Sequence, residues 1–307
     1  MVPGMRAFSG ERIINPVHGE LPDWIRPSRF YPGGHIYALR AERLRVLASD
    51  AGTLAPYLVD MAELYTLVHQ LDQELGSAGS AERHSPLLEW PMHFAWCVRL
   101  RLLQNACMET PGVSPFWREA AQAIRQSDIR LHRRTVLQLL NGGFDGHAGA
   151  VELLLLASLN LYGRRAGCVS LPLSSGQHAW PQHCPGCGAA PAVAILRSMA
   201  GSQGVRYLHC GFCEGEWRIP RLVCAHCGES GHLAWYHLDA NAGIRAEACG
   251  ACGSYMKQID QEKLPLAEPL ADDLASLALD IQMADRGFAR WAVNPLLVLS
   301  QVDENSA

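Results

Sequence analysis

The chain runs to 307 residues, long enough for two domains or for one domain with a sizeable extension. Its residues are 49% hydrophobic and 18% charged, which excludes a mostly disordered or highly charged protein, and its formal charge of −4 gives no whole-chain reason to expect a polyanionic partner. Eleven cysteines are too many for a routine protein of a reducing compartment and too few per residue for a small disulfide scaffold, so their positions decide their meaning.

Residues 1–34 read as an N-terminal arm. Glu11, Asp23 and several prolines interrupt it, and no apolar run reaches the length of a secretory h-region, so a cytoplasmic protein with thiols reserved for metals or catalysis is expected. The longest apolar stretch, Val151 to Leu161, contains Glu152 and Asn160 and falls far short of a bilayer span of roughly 20 residues, so no membrane insertion is expected. Residues 35–165 read as an all-α domain of five or six helices. Leu54, Leu58, Met61, Tyr65 and Val68 recur every three or four residues, Tyr57, Leu64, Leu71 and Leu75 widen the stripe, and Gly76 ends it. Ser114 followed by Pro115 predicts an N-cap and a first helical position, opening a helix that carries Phe116, Ala120 and Ile124. Gly142 and Gly143 close the next helix, and His147 to Tyr162 supplies a buried one.

Residues 166–182 mix Pro, Ser and Gly without a helical period and form the expected linker. Composition then changes: eight of the eleven cysteines fall between Cys184 and Cys252, among short β-like segments such as Val205 to Leu208 and Leu233 to Leu238. Two tandem four-cysteine zinc-ribbon modules are expected, over 183–218 and 219–258, so the fold class is α plus small β. Residues 259–307 complete the chain as a helix and tail. That helix is expected from Leu266 to Asp285, with Leu270, Leu274, Leu277 and Ile281 on one face and Gly287 just past its end, able to pack onto either domain.

The cysteines form four pairs, each with two intervening residues: Cys184/Cys187, Cys210/Cys213, Cys224/Cys227 and Cys249/Cys252. A two-residue spacing lets one tight turn aim both sulfurs at a single ion while backbone amides point at the thiolates. Gly188 and Gly228 directly follow two of the pairs, and Gly211 and Gly250 sit inside the others. The halves repeat with offsets of 40 and 39 residues, and Gly204-Val205-Arg206 stands before Cys210 as Gly243-Ile244-Arg245 stands before Cys249. The repeat predicts one ion on Cys184, Cys187, Cys210 and Cys213 and a second on Cys224, Cys227, Cys249 and Cys252. Metal staples without chemistry are the commonest use of such sites, because modules this small have too little core to fold alone. A thioredoxin-type dithiol lacks its βαβ context here. Cys97 and Cys107 read as small hydrophobes on a helix, and Cys168 has no assigned role.

His183, His209, His226, His232 and His237 surround the pairs and could replace a thiolate or tune a site from beside it, but each is expected at the surface, since cysteines already complete both tetrahedra. Trp217, Trp235 and Tyr236 are expected to fill the small ribbon cores. From Cys184 to Cys252 five arginines (197, 206, 218, 221 and 245) balance five acids (Glu214, Glu216, Glu229, Asp239 and Glu247). Four thiolates around each divalent ion would make the loaded module acidic, by about −4, whereas a nucleic-acid ribbon should be basic, so no nucleic-acid partner is expected. No nucleophile elbow, phosphate loop, dinucleotide fingerprint or metalloprotease helix is present, and no catalytic or cofactor-binding residue is assigned. The adjacent Asp272 and Asp273 read as solvated or helix-N-terminal charges.

With these motifs in view, the chain resembles the formate dehydrogenase accessory protein family, FdhE. The resemblance rests on HCPGCGAAP (183–191), GVRYLHCGFCEGEW (204–217), RLVCAHCGES (221–230), IRAEACGACGSYMK (244–257), ADDLASLALD (271–280), GFAR (287–290) and NPLL (294–297), with RVLASDAGTLAPYL (45–58) the nearest match in the helical half. It implies a cytoplasmic, non-catalytic factor that binds the catalytic subunit of a respiratory formate dehydrogenase before export and supports a redox-sensitive step of its maturation. It also implies rubredoxin-like ribbons, which favours iron in both sites; four thiolates suit zinc equally well. Two other classes stay open: a rubredoxin-type electron carrier or oxidoreductase, which needs reversible iron reduction, and a nucleic-acid-binding zinc-ribbon protein, which the module charge disfavours.

Overall fold

The computed structural model describes residues 35–76, 85–141, 149–166, 180–199, 202–239, 243–292 and 294–297. The expected N-terminal arm, Gly142, Gly143, Cys168 and most of the expected linker lie outside the described residues.

Among the described residues six α-helices come first: α1 (Ile36–Ala48), α2 (Ala55–Glu74), α3 (Phe94–Glu109), α4 (Pro115–Gln126), α5 (Ile129–Leu140) and α6 (Ala150–Ala166). The stripe on α2 buries Leu58, Met61, Leu64, Tyr65, Val68 and Leu71, and Gly76 follows in the left-handed region at φ 57°. Pro115 opens α4 with its fixed φ, and Ser114 sits at the N-cap, but the Ser114 hydroxyl makes no capping bond. The face of α4 is one residue off the expectation: Trp117, Ala120, Ala121 and Ile124 are buried and Phe116 turns outward. The indole of Trp117 donates to the Asp60 carbonyl at 2.8 Å, which fixes that choice of aromatic.

Helix α6 is buried almost all round, from Leu153 to Tyr162, and forms the axis of the helical half. Its two interior polar groups are satisfied. Ser158 accepts from the Trp96 indole at 2.9 Å, and Asn160 Oδ1 accepts from the Tyr65 hydroxyl at 2.6 Å.

The second half is a small mixed sheet made of β1 (Val193–Met199), β2 (Ser202–His209), β3 (Glu216–Arg218), β4 (Leu233–Tyr236), β5 (Ile244–Cys249), β6 (Ser254–Asp260) and β7 (Ala289–Arg290). The main path runs β3-β2-β1-β6-β5-β4, and β7 adds to β6 beside β1. Each ribbon is a three-stranded antiparallel meander, and the two join through a parallel β1–β6 contact, Ala194 opposite Gln258 and Ile195 opposite Ile259. The duplication therefore lays its copies side by side in the same direction within one sheet.

The C-terminal residues depart from a single helix. Two helices stand there, α7 (Pro269–Ala275) and α8 (Leu277–Asp285), separated at Ser276, whose hydroxyl bonds back to the carbonyls of Asp272 and Asp273 at 2.9 and 3.0 Å. The break rotates the apolar stripe: Leu270 and Leu274 are buried on α7, but Leu279 and Met283 are buried on α8, leaving Leu277 part-exposed and Ile281 exposed. Helix α7 packs on α1, while Leu279 and Met283 join Ala246, Ala248 and Tyr255 of the second ribbon. The segment thus ties the helical half to the sheet.

Candidate metal centre

All four Cys-x2-Cys turns fold the same way. The carbonyl of the first cysteine accepts from the amide four residues on: Gly188 to Cys184, Glu214 to Cys210, Gly228 to Cys224 and Gly253 to Cys249, at 2.8 to 3.1 Å. That fifth residue is left-handed in every turn, with φ of 79°, 61°, 76° and 70°. Glycine fills it three times and Glu214 once. Gly211 and Gly250, expected to serve this role, do not; Gly211 instead lets Pro295 approach, since a Cβ there would lie 2.7 Å from the proline ring.

These turns bring the eight cysteines into two groups, Cys184/Cys187/Cys210/Cys213 and Cys224/Cys227/Cys249/Cys252, each with its sulfurs within 4.8 Å of one another. The duplicated pairing expected from sequence is the one the structure forms. In the second group the cross-turn sulfurs lie 3.8 and 3.7 Å apart, and in the first 3.4 and 3.5 Å. Metal–sulfur bonds of about 2.3 Å in a tetrahedron place sulfurs about 3.8 Å apart, so both groups fit one tetrahedral ion, the first after a small expansion. Amide donors are in place: Gly186 to the Cys184 sulfur at 3.3 Å, Cys213 to Cys210 and Cys227 to Cys224 at 3.5 Å. Burial pushes the thiols of Cys187 and Cys224 up, so an ion must displace protons to bind. Cys252, which burial alone would raise, is drawn down to about 6 by the Ser254 hydroxyl and amide.

The surroundings of the two groups differ. Cys184, Cys187, Cys210 and Cys213 lie within the main core, continuous with the helices. The Leu87 amide donates to the Cys187 carbonyl at 2.8 Å, and Asn160 of α6 donates to the carbonyls of Gly211 and Phe212 at 2.6 and 3.1 Å. In the second group Cys227 and Cys252 are part-exposed. Between its first two cysteines His226 stacks on Trp291 at 5.0 Å and bonds the Ser254 hydroxyl at 3.2 Å.

Beside the first group lies a buried charge network that spacing did not reveal. Arg40 of α1, fully buried, binds both oxygens of Glu214 at 2.8 and 2.7 Å and Glu268 at 2.8 Å. His209 is not at the surface: it is buried between Glu214 and Glu216 at 3.1 and 3.2 Å. Burial opposes its charge, but the two carboxylates raise it to about 10, and Arg40 and His209 in turn hold Glu214 down to about 2 despite burial. The signal in the sequence was an irregularity: Glu214 stands where the other three turns carry glycine. His183, His226, His232 and His237 are exposed, as expected. Trp217 is buried, but in the main core with its indole on the Pro181 carbonyl, and Trp235 and Tyr236 are only half-buried.

Asp272 and Asp273 are buried ion-pair partners rather than solvated charges. Asp272 holds Arg43 of α1 at 2.7 Å, and Asp273 holds Arg290 at 2.6 Å and Lys257 at 3.2 Å. Adjacent positions point to opposite neighbours, which is why one pair can anchor both the helical half and the sheet. Cys107 is buried on α3 with its thiol pushed up to about 12 by burial, and Cys97 is part-exposed near Arg133.

A family model described as "FdhE, central domain" matches residues 183–221, and one described as "FdhE, C-terminal domain" matches 222–297. Among relatives named "Protein FdhE homolog", that of Pectobacterium carotovorum is 33% identical over 85% of this chain and 87% of its own length, and that of Haemophilus ducreyi is 33% identical over 89% and 92%. The crystal structure of the FdhE protein from Pseudomonas aeruginosa is similar with a TM-score of 0.75 at 30% identity, covering 89% of this chain and 99% of that one. No described helix is long and apolar enough to cross a membrane.

Proposed function

Since this chain belongs to the FdhE family, by identity along most of its length and by its fold, we propose that it is an accessory factor for the maturation of a formate dehydrogenase and not itself an enzyme. In this reading it acts in the cytoplasm, binds the catalytic subunit of that enzyme, and holds one metal ion on Cys184, Cys187, Cys210 and Cys213 and another on Cys224, Cys227, Cys249 and Cys252. The observation that carries the metal reading is the pair of four-sulfur groups with the spacing of a tetrahedral thiolate site. Each ion would supply charge to hold four thiolates together; the chain's own turns orient the sulfurs and donate amides to them. Iron is favoured by the family resemblance, and zinc fits the same donors. The domain scheme is an arm over 1–34, helices over 35–165, a linker over 166–182, ribbons over 183–218 and 219–258, and a closing segment over 259–307.

The partner reading is supported by charge. From Cys184 to Cys252 there is no lysine and five arginines balance five acids, so loaded sites turn this stretch acidic and a protein surface suits it better than a polyanion. The test is co-purification of full-length protein with the formate dehydrogenase catalytic subunit, together with that enzyme's activity in cells carrying Cys184→Ser and Cys187→Ser. Retained complex and lost activity in the variant are expected from a maturation role; normal activity with the variant as sole copy contradicts it.

A further inference from the structure

The two four-sulfur groups are copies in sequence but not in environment. All four sulfur-bearing residues of the first group are buried, at 0% to 3% exposure, and belong to the same apolar cluster as α2, α3 and α6. Reaching them requires separating the sheet from the helices: Asn160 is bonded to the Gly211 and Phe212 carbonyls of one turn, the Leu87 amide to the Cys187 carbonyl of the other, and Arg40 to Glu214 next to Cys213. None of the second group's cysteines belongs to a core cluster. Cys227 and Cys252, one from each of its turns, reach the surface. Beside the second group the His226 ring stacks on Trp291, and the Ser254 hydroxyl bonds both His226 and the Cys252 sulfur.

Access to a buried group is set by the free energy of the opening that exposes it, and openings range from local fraying to global unfolding. For the second group a local movement of the Cys224–Cys227 or Cys249–Cys252 turn is enough. For the first the opening must break the joint between the halves. We infer that the two sites are functionally unequal: the edge formed by Cys227 and Cys252 is the place where a metal ion enters and leaves and where small thiol reagents attack, whereas the first site is a staple of the interdomain joint. A ligand delivered or withdrawn by a second molecule, as a thiolate-exchanging metal carrier or a small-molecule chelator does, finds its path at this edge only.

This rests on the reading that both groups bind an ion, and the test separates the two claims. Metal per chain is counted first on the full-length protein, and two ions support the metal reading by itself. Release to a colorimetric chelator is then followed in time. One equivalent is expected to leave at least about tenfold faster than the other, since local opening precedes joint opening. In Cys227→Ser/Cys252→Ser the fast phase should vanish while the slow one and the far-UV helical signal persist. Metal-free protein is treated in parallel with limiting iodoacetamide, in which a cysteine thiolate displaces iodide and gains a carbamidomethyl group, and the sites are mapped by mass spectrometry. Cys227 and Cys252 should be modified before Cys184, Cys187, Cys210 and Cys213. Release of both ions at one rate, a fast phase that survives the double substitution, or first modification at the Cys184 group would each overturn the inference, and the alkylation order does so whatever metal the protein holds.

Discussion

At the scale of single residues, Glu214 concentrates the chain's departures from the simple ribbon pattern. A left-handed conformation costs an ordinary L-residue about 1–2 kcal/mol, and Glu214 keeps it because Arg40 and His209 both grip its carboxylate. Replacing Arg40 with Met leaves buried Glu268 without its cation and Glu214 with His209 alone, and a loss of about 3–5 kcal/mol is expected in urea denaturation. Adding Glu214→Gly removes one half-paired buried charge and the backbone strain together. The double variant should therefore be less destabilised than the two single losses sum to, by at least about 1 kcal/mol; strict additivity would show that the pair is not coupled. Asp273 makes a second case, with a pH signature. Arg290 and Lys257 outweigh burial and hold its carboxyl below the ordinary range. A depressed folded value means that the pair's stabilisation is complete above the unfolded carboxylate value of about 4 and fades as pH falls below it. Asp273→Asn should cost about 3–5 kcal/mol at pH 7, and the gap to wild type should narrow below about pH 4. Neither carboxylate announces a buried role by its spacing, because burial of a charge depends on a cation from a distant element: Arg40 lies 174 residues before Glu214.

At the scale of elements, what local rules govern was legible. The α2 stripe, the Pro115 start, the four metal-type turns and their duplicated pairing all follow from short-range periodicity and spacing. The C-terminal segment departs from one continuous helix for a local reason that only tertiary structure settles. Ser276 turns its hydroxyl back onto the Asp272 and Asp273 carbonyls, and the Lys257 ammonium donates to the Asp273 carbonyl and to the Ser276 hydroxyl, so the helix breaks and its apolar face rotates. The contact of α6 with the first ribbon was equally hidden. Gly163 looks like a weak point in a helix, yet a Cβ there would overlap the Trp90 ring and sit 2.8 Å from the Phe212 carbonyl. Gly163→Ala should thus destabilise by about 1–3 kcal/mol, although alanine is the better helix former, and a thermal melt with raised stability would contradict this packing.

At the scale of the whole molecule, the sheet, the helices and the closing segment form one continuous assembly. Helix α1 sends Arg40 to the first ribbon and to Glu268, and Arg43 to Asp272, while Asp273 reaches back to β6 and β7 through Lys257 and Arg290. The first group of cysteines lies inside that joint, so loading it should stabilise the helical half as well as its own ribbon. Removing metal should lower the melting temperature of the helical signal at 222 nm by several degrees or more, as expected when a ligand binds only the folded state. In the proposed reading the eight cysteines make two thiolate metal sites. Elemental analysis with an absorption spectrum of anaerobically purified full-length protein tests it most directly. Two ions per chain are predicted, falling to one in Cys224→Ser/Cys227→Ser with the fold retained; a folded wild-type chain without metal, carrying disulfides within the Cys-x2-Cys pairs, would contradict it.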